Sequence, residues 1–356
     1  MKRIVVGMSG GVDSAVSALL LKQQGFDVIG VYMNNWEEDD QEGVCTAEAD
    51  WADVRQCCEA IGIPYYAVNF SQEYLDRVFR IFLEEYAKGR TPNPDVLCNR
   101  EIKFRAFLDF AMQLDADGIA TGHFARTNET GDLFKGLDPN KEQSYFLYML
   151  KRRQLLKTMF PVGEMTKGQV RQIADDHRLP VSNKKDSTGI CFIGERKFRQ
   201  FLQQYLPAQP GIMRTPDGEA LGEHQGLMYY TLGQRRGLGI GGKGDGRSFF
   251  VVAKDLVHNE LIIAQGEDHP LLYSQSAQLE QLTWVGEAPC GAGEEVRVQA
   301  KFRYRQSDQD VWLRWTGSEA VLRFDKAQRA VTPGQSAVLY QADQCLGGGI
   351  IQSTIS

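Results

Sequence analysis

Short apolar runs alternate with helical apolar patterns in the first part of the chain. The runs that predict buried strands cover residues 4–6, 28–33, 65–70 and 118–123. Apolar residues at helical spacing predict helices over residues 12–23, 48–61, 72–88 and 101–114. Thr166 and Gln169 form a capping box for one more helix, which ends near His177. This alternation predicts an α/β doubly wound parallel sheet.

The pattern changes after residue 203. Prolines at 207, 210 and 216 and a glycine-dense stretch at 233–246 replace the long helices, which predicts a small, mostly β central domain. Beyond residue 275 apolar and polar residues alternate strictly, most clearly at 296–305, and this predicts a C-terminal β-barrel. The predicted domains are 1–203, 204–270 and 271–356.

A glycine-rich loop separates the first strand from the first helix. It consists of Gly7, Met8, Ser9, Gly10, Gly11, Val12, Asp13 and Ser14. Glycines let the backbone approach a ligand, and the amides at a helix start favour an anion such as phosphate. The loop lacks the lysine of a Walker loop and the spacing of a dinucleotide fingerprint. The sequence Ser-Gly-Gly-Val-Asp-Ser at 9–14 instead resembles the pyrophosphate loop of ATP pyrophosphatases, which split ATP into AMP and pyrophosphate.

Other residues follow the predicted strands at the same edge of the sheet. Met33 ends the second strand, and Gly122 and His123 end another, where open α/β sheets bind nucleotides. His123 is either a substrate contact or a hydrogen-bonded structural histidine. Asp13 is either a ligand for magnesium or pyrophosphate, which we favour, or a helix cap.

Two of the seven cysteines are candidates for chemistry. Cys98 ends a proline-containing stretch, which predicts a stiff loop and a thiol with a lowered pKa at a helix start. Cys191 lies in a turn-like segment after a basic pair. Cys57 and Cys58 fall within an apolar helix and are expected to be core. No Cys-x-x-Cys pair is present, which argues against zinc and against a secreted disulfide framework.

Composition restricts the class of protein. The chain has 356 residues, of which 42% are hydrophobic and 24% charged, and its formal net charge is −6. It has no signal peptide pattern and no apolar run long enough to span a membrane, so we expect a cytoplasmic protein. RNA binding would require a local basic surface. Arg297, Lys301, Arg303 and Arg305 are predicted to share one strand face, which is either such a stripe or an ordinary solvated face.

Taken together, these motifs resemble the bacterial tRNA-specific 2-thiouridylase family over nearly the whole chain. The segments that carry the resemblance are 9–14, 93–95 with Cys98, 121–123, 141–147, 189–194 and 303–306. The resemblance implies that ATP, with Mg²⁺, adenylates the 2-carbonyl oxygen of the wobble uridine in the tRNAs for lysine, glutamate and glutamine. Sulfur then replaces that oxygen. The sulfur donor would be a cysteine desulfurase or a sulfur-relay protein.

The resemblance also implies roles for individual residues. Cys191 would carry the sulfur as a persulfide, and Cys98 would be the nucleophile that releases it, leaving a Cys98–Cys191 disulfide. ATP would be bound by residues 7–14, Met33 and Gly122, with no tightly bound metal other than the Mg²⁺ that accompanies ATP near Asp13. The residues expected to contact the target base are Asn93, Pro94 and Asp95. Those expected to contact tRNA elsewhere are His123, Lys141, Glu142, Gln143, Arg303, Tyr304 and Gln335. Glu142 stands where the family pattern leads us to expect aspartate.

Two other functions remain open. The chain could be an ATP pyrophosphatase-type ligase that acts on a small metabolite, although it shows no glutaminase segment and such an enzyme would not need the two cysteines. It could also be a non-catalytic RNA-binding protein that senses ATP. In each case we expect a monomer that does not contact membranes.

Overall fold

The first part of the chain forms a parallel sheet with helices on both faces. A computed structural model describes residues 1–36, 46–186, 198–240 and 246–355. The strands of this part are β1 (Arg3–Met8), β2 (Asp27–Asn34), β3 (Tyr65–Asn69), β4 (Gly118–Ala120), β5 (Ala125–Thr127), β6 (Leu133–Lys135) and β7 (Thr158–Met159). The helices are α1 (Val12–Gln23), α2 (Thr46–Ile61), α3 (Ser71–Tyr74), α4 (Arg80–Ala87), α5 (Pro94–Cys98), α6 (Phe107–Gln113), α7 (Arg152–Leu155) and α8 (Lys167–Asp176).

The sheet has the strand order β3-β2-β1-β4-β7, and all of its neighbouring strands are parallel. Both faces are buried because the side chains of β1 alternate between two cores. Ile4 and Val6 pack with residues of α1, α2 and α8, whereas Val5 packs with Phe104 and Phe107 on the other face. The prediction of a doubly wound parallel sheet is confirmed.

Two predicted helices have different bounds from those expected. The helix predicted over 72–88 is a continuous path of α3, a π-helical stretch at Leu75–Phe79, and α4. The helix predicted to begin at residue 101 begins at Pro94 and passes through a π-helical stretch, Asn99–Ala106, into α6. Proline fits the first helical turn because its missing N–H would have no helical partner there. The prediction of a stiff loop that ends at Cys98 is therefore wrong for residues 94–98, which are helical.

The central part of the chain is mostly β, as predicted. Its elements are α9 (Phe198–Gln203), β8 (Gly211–Arg214), β9 (Ala220–His224), β10 (Phe249–Asp255) and β11 (Glu260–Gln265). They form a sheet of order β10-β11-β8-β9. Within the described ranges, no helix is long and apolar enough to cross a membrane.

The last part of the chain closes into a β-barrel. Its strands are β12 (Tyr273–Trp284), β13 (Glu295–Lys301), β14 (Gln309–Trp315), β15 (Ala320–Arg329), β16 (Ser336–Gln341) and β17 (Gln344–Ile355). Closure comes from β12, which pairs with β15 on one side and with β17 on the other. The β5–β6 hairpin of the first part pairs with β17 and extends the barrel sheet. The predicted barrel is confirmed, and it shares a sheet with the parallel-sheet domain.

The strand predicted over 296–305 is shorter than expected. It ends at Lys301, and Arg303 and Arg305 lie in the turn that follows. The four basic residues therefore do not form one stripe on a strand face, and this part of the prediction is wrong. Because β13 ends at Lys301, the inward and outward alternation of a strand does not extend to Tyr304.

The predicted capping box at α8 is present and can be tested. The Thr166 hydroxyl accepts a hydrogen bond from the Gln169 amide, and the Gln169 side chain accepts one from the Thr166 amide. We expect Thr166→Ala to lower the local stability of α8 by about 1 kcal/mol, because an N-cap hydrogen bond is lost. Hydrogen exchange of the α8 amides measures this. Thr166→Ser should retain the wild-type exchange rates, and equal rates in the alanine variant would contradict the assignment.

Candidate functional site

The loop at residues 7–14, here called the pyrophosphate loop, is held by Ser14. The Ser14 hydroxyl donates to the Gly11 carbonyl (3.0 Å) and accepts from the Ser9 amide (3.2 Å). Gly10 has a φ of +71°, a conformation that favours glycine, and a Cβ there would lie 2.8 Å from the Asp50 carbonyl oxygen. The sequence thus dictates a tight turn that directs the first amides of α1 outward, where an anion can accept from them.

The ends of two neighbouring strands meet this loop. A Cβ on Gly122 would lie 2.7 Å from the Ser14 amide nitrogen, so only glycine allows the chain after β4 to pass this close. A Cβ on Gly7 would lie 3.0 Å from the methyl carbon of Met33, which places Met33 beside the start of the loop. Met33 and Gly122 are therefore adjacent to the pyrophosphate loop, on β2 and after β4.

A cluster of charged side chains lies beside Asp13. Lys167, the first residue of α8, lies 2.5 Å from Asp13 Oδ1 and 2.8 Å from Asp186 Oδ1. Asp186 also pairs with Arg171 (2.9 Å) and with Lys141. This cluster, here called the cation cluster, contains three cations and two carboxylates, so it carries a net positive charge next to the anion-binding loop.

The carboxylates of the cation cluster have different pKa values. Burial raises the pKa of Asp13, and the hydrogen bond from Lys167 acts against that rise. Burial also opposes the ionisation of Asp186, but the hydrogen bonds from Lys141 and Lys167 outweigh it and lower its pKa to about 2. The alternative role of Asp13 as a helix cap is not observed, because the N-cap of α1 is Gly11 and no side chain caps it.

His123 is half-buried between aromatic rings. Its Nδ1 is hydrogen-bonded to Thr121 Oγ1 (2.8 Å), and its ring lies beside Phe104 and Phe160. Burial, together with the charge of Lys103, lowers its pKa well below the usual value, so the imidazole is neutral at pH 7. These contacts are those of a hydrogen-bonded structural histidine, although its position after β4 keeps it close to the pyrophosphate loop.

Cys98 lies inside a helix and not in a loop. It is the last residue of α5, is 1% exposed, and packs in the core shared with Leu97 and Ile102. The N-terminus of a helix stabilises a thiolate only within the first helical turn. Cys98 lies beyond the first turn of α5, so the predicted position at a helix start is not found. Asn93 precedes the helix and Asp95 lies in its first turn. Burial raises the pKa of Asp95, and Lys103 acts in the opposite direction.

Of the other cysteines that the structure describes, Cys57, Cys58 and Cys345 are buried and Cys290 is half-buried. Cys57 and Cys58 are buried, and burial raises their pKa values to about 11 and about 12, which confirms that they are core residues. Cys191 lies outside the described residues. The geometry of the proposed Cys98–Cys191 pair is therefore not part of the structure.

Residues 141–143 join the parallel-sheet domain to the barrel. Lys141 belongs to the cation cluster. Glu142 is 5% exposed and pairs with Lys301 of β13 (3.1 Å). The Gln143 side chain accepts a hydrogen bond from the Phe124 amide (2.9 Å). The consecutive side chains of Lys141 and Glu142 thus contact the cation cluster and the barrel respectively.

Two further expected tRNA contacts, Arg303 and Tyr304, lie in the turn after β13. Arg303 donates to the carbonyl oxygens of Leu232 and Ala330 (3.1 Å each), and burial lowers its pKa. The Tyr304 ring packs on Phe146 with their centroids 4.5 Å apart.

Two residues of the predicted stripe are paired with carboxylates. Arg297 pairs with Asp325 (2.6 Å), and Lys301 with Glu142. The charge of this surface is therefore partly neutralised, which a pattern of basic residues alone could not indicate. Arg305 is exposed at the turn after β13.

Sequence reasoning missed three members of the cation cluster. Lys167, Arg171 and Asp186 come together with Asp13 only because α8 packs beside α1. The one local signal was the capping box at Thr166, which fixes the start of α8 and hence the position of Lys167. Among the described residues, no group of three or more histidines, cysteines or acidic residues is arranged to hold a metal ion.

Family models match the chain in three consecutive stretches. They are described as a tRNA methyl transferase HUP domain (residues 2–195), a tRNA methyl transferase PRC-barrel domain (199–265) and an aminomethyltransferase beta-barrel domain (274–351). A solved 4-thiouridine synthetase–RNA complex with bound ATP aligns with a TM-score of 0.36 and 15% identity, and covers 58% of this chain and 50% of its own. The family assignment therefore depends on sequence relatives.

The curated relatives are named for thiolation. The tRNA-specific 2-thiouridylases MnmA of Bacillus pumilus and Bacillus subtilis are 58% and 57% identical to this chain, each over 98% of it and 94% of the relative. That of Ralstonia nicotianae is 57% identical over 99% of this chain and 96% of the relative. Because the similarity extends over nearly the full length on both sides, the chain belongs to the tRNA-specific 2-thiouridylase family.

Proposed function

We propose that the protein is a tRNA-uridine 2-sulfurtransferase that adenylates the wobble uridine with ATP and then replaces its 2-oxygen with sulfur. The observation that carries this proposal is the pyrophosphate loop with a net positive cation cluster beside it, in a chain of the 2-thiouridylase family. The proposed substrates are the tRNAs for lysine, glutamate and glutamine, and the products are 2-thiouridine, AMP and pyrophosphate.

The pyrophosphate loop suits the phosphates of ATP. The first amides of α1 donate to an anion, and Gly10 and Gly11 leave room for it. The Lys167 ammonium lies between two carboxylates, and a phosphate oxygen can replace either of them as its acceptor. We propose that residues 7–14, Met33 and Gly122 surround ATP. Mg²⁺ would bind together with ATP and neutralise part of the phosphate charge. Asp13 is the carboxylate of the loop that could coordinate it.

The two cysteines supply the sulfur chemistry. The terminal sulfur of a Cys191 persulfide attacks C2 of the adenylated uridine, and the bond from C2 to the AMP oxygen breaks. The Cys98 thiolate then attacks Sγ of Cys191, which releases the thiolated base and leaves a Cys98–Cys191 disulfide. A thiol reductant restores both thiols for the next turnover. Because Cys98 is buried in α5, this sequence requires the helix to open or shift.

The tRNA lies, in this proposal, along the junction between the parallel-sheet domain and the barrel. Asn93, Pro94 and Asp95 contact the target base. The proposed contacts elsewhere on the tRNA are His123, Lys141, Glu142, Gln143, Arg303, Tyr304 and Gln335. The end of β13 and the turn after it pack against residues 142–146 through the Lys301–Glu142 pair and the Tyr304–Phe146 rings, so one anticodon stem-loop can reach both. A cysteine desulfurase or sulfur-relay protein supplies Cys191 with sulfur in the cytoplasm, and the enzyme acts as a monomer.

Dependence on tRNA distinguishes this function from a small-metabolite ligase. We expect AMP to form from ATP only when a substrate tRNA is present, because the activated oxygen belongs to that tRNA. Thin-layer separation of labelled ATP and AMP, with and without tRNA, measures this. A tRNA whose wobble base is cytidine is the control. AMP formation that is indifferent to tRNA would contradict the proposal, and tRNA binding without any AMP would indicate a non-catalytic ATP sensor.

Removal of the persulfide cysteine should separate ATP binding from thiolation. We expect Cys191→Ala to abolish 2-thiouridine while ATP affinity stays at the wild-type level, because alanine cannot carry a sulfane sulfur. Mass spectrometry of digested tRNA and equilibrium binding of ATP give the two readings. Cys57→Ala, at a buried core cysteine, is the matched control and should thiolate. Normal thiolation by the Cys191 variant would refute its assignment.

Loss of the central ammonium should weaken ATP binding. Lys167→Ala removes a charge-assisted hydrogen bond worth about 1.5–3 kcal/mol, so we expect the Kd for ATP to rise by about tenfold to 100-fold. Isothermal titration calorimetry with a non-hydrolysable ATP analogue measures the change. Lys157→Ala is the control, since Lys157 is exposed at the opposite edge of the sheet, where its carbonyl accepts from the Ile119 amide. An unchanged Kd in the Lys167 variant would remove this residue from the ATP site.

A further inference from the structure

The chain immediately before the base-contact residues is held by the C-terminal barrel. Residues 90–92, here called the anchor segment, connect α4 to the Asn93–Pro94 start of α5. The Thr91 amide donates to the Pro333 carbonyl (3.0 Å), and the Gln335 side-chain amide donates to the Thr91 carbonyl (2.8 Å). Both backbone polar groups of Thr91 are thus satisfied by one turn of the barrel, at a residue that is 9% exposed.

The barrel turn fits closely against this backbone. Gly334 has a φ of +91°, and a Cβ there would lie 2.8 Å from the Thr91 amide nitrogen. Any side chain at this position would push the turn away from the anchor segment or strain its own backbone. Gln335 also lies 3.4 Å from the Pro92 carbonyl. The close approach depends on glycine, as it does where Gly122 meets the pyrophosphate loop.

An ion pair fixes the other end of the anchor segment. The Arg90 guanidinium lies 2.6 Å from Glu280 Oε1 on β12 and 2.9 Å from Glu85 Oε2 on α4. Its side chain is 18% exposed, so water screens the pair only partly. Arg90 therefore joins α4 to the barrel directly before the chain turns into the base-contact residues.

We propose that Gln335 and Glu280 are positioning residues, through which the barrel holds the anchor segment so that Asn93–Asp95 are aligned with the target uridine. This inference rests on the proposed function. It gives the barrel a part in the reaction besides binding tRNA. Gln335 can serve in both ways, because its side-chain NH₂ is committed to the anchor segment while no described residue donates to its Oε1.

Positioning and tRNA contact predict different kinetics. If the barrel orients the base-contact residues, Glu280→Gln weakens the hold of Arg90, and the single-turnover rate of thiolation at saturating tRNA falls by about tenfold to 100-fold. The Kd for tRNA stays at the wild-type value, because Glu280 faces Arg90. Gln335→Met should show the same fall in rate. Gln278→Met is the matched control, since Gln278 lies on the same strand and its side chain donates to Glu319 (3.2 Å), which is also part of the barrel.

A second measurement does not depend on thiolation. Cys98 is buried, so iodoacetamide should alkylate it slowly in the wild type without tRNA. Loosening the anchor segment should accelerate alkylation several-fold in Glu280→Gln and in Gly334→Ala, which adds only a methyl group against Thr91. Peptide mass spectrometry follows Cys98 separately from the other thiols, and circular dichroism verifies that each variant is folded.

The outcomes separate this inference from the proposed function. A loss of tRNA affinity with an unchanged rate at saturation, or unchanged Cys98 alkylation in both Glu280→Gln and Gly334→Ala, would overturn the positioning role. If the wild type makes no 2-thiouridine with any tRNA, the proposed function fails, and the alkylation rates still decide whether the barrel holds α5. If one variant does not fold, the other carries the alkylation measurement.

Discussion

The candidate site depends on the ion pairs that the Lys167 ammonium forms with Asp13 and Asp186. The ammonium offsets the repulsion between two carboxylates that would otherwise face each other beside an anion-binding loop. Because Lys141 and Arg171 add two further cations, the cluster keeps a net positive charge without any ligand. The phosphates of ATP would then replace carboxylates as the acceptors of cations that are already in place. These cations limit the desolvation cost of burying the phosphates.

The same cluster is tied to the barrel through one short piece of chain. Lys141 contacts Asp186, and the next residue, Glu142, pairs with Lys301. The Lys301 side chain is 12% exposed and the Glu142 side chain 5% exposed. A buried ion pair contributes little net stability but fixes one arrangement, since either charge alone would be costly to leave unpaired. The β5–β6 hairpin adds backbone pairing to the same junction. The barrel is therefore held in a defined relation to the carboxyl edge of the parallel sheet.

Much of this could be predicted from sequence because it depends on local patterns. The loop at 7–14, the parallel sheet and the capping box at Thr166 each follow from neighbouring residues. The incorrect predictions concern long-range pairing. The basic stripe failed because β13 ends at Lys301 and because Asp325 and Glu142, distant in sequence, neutralise two of its members. The sequence does not predict Lys167 as a site residue, because only the packing of α8 beside α1 brings it to Asp13. The prolines before Cys98 fit either a stiff loop or the first turn of a helix, and the sequence alone does not distinguish the two.

The burial of Glu142 changes what a tRNA contact at 141–143 requires. A segment whose two consecutive side chains are held by Asp186 and by Lys301 cannot turn toward RNA without parting from at least one of them. Phosphate is an acceptor that can replace Asp186 for Lys141, whereas phosphate would repel Glu142, whose carboxylate can contact tRNA only at a donor such as a base amino group or a 2′-hydroxyl. Lys141 is thus the member of the pair that can change partners at low cost. The pair of Glu142 with Lys301 keeps the segment on the barrel.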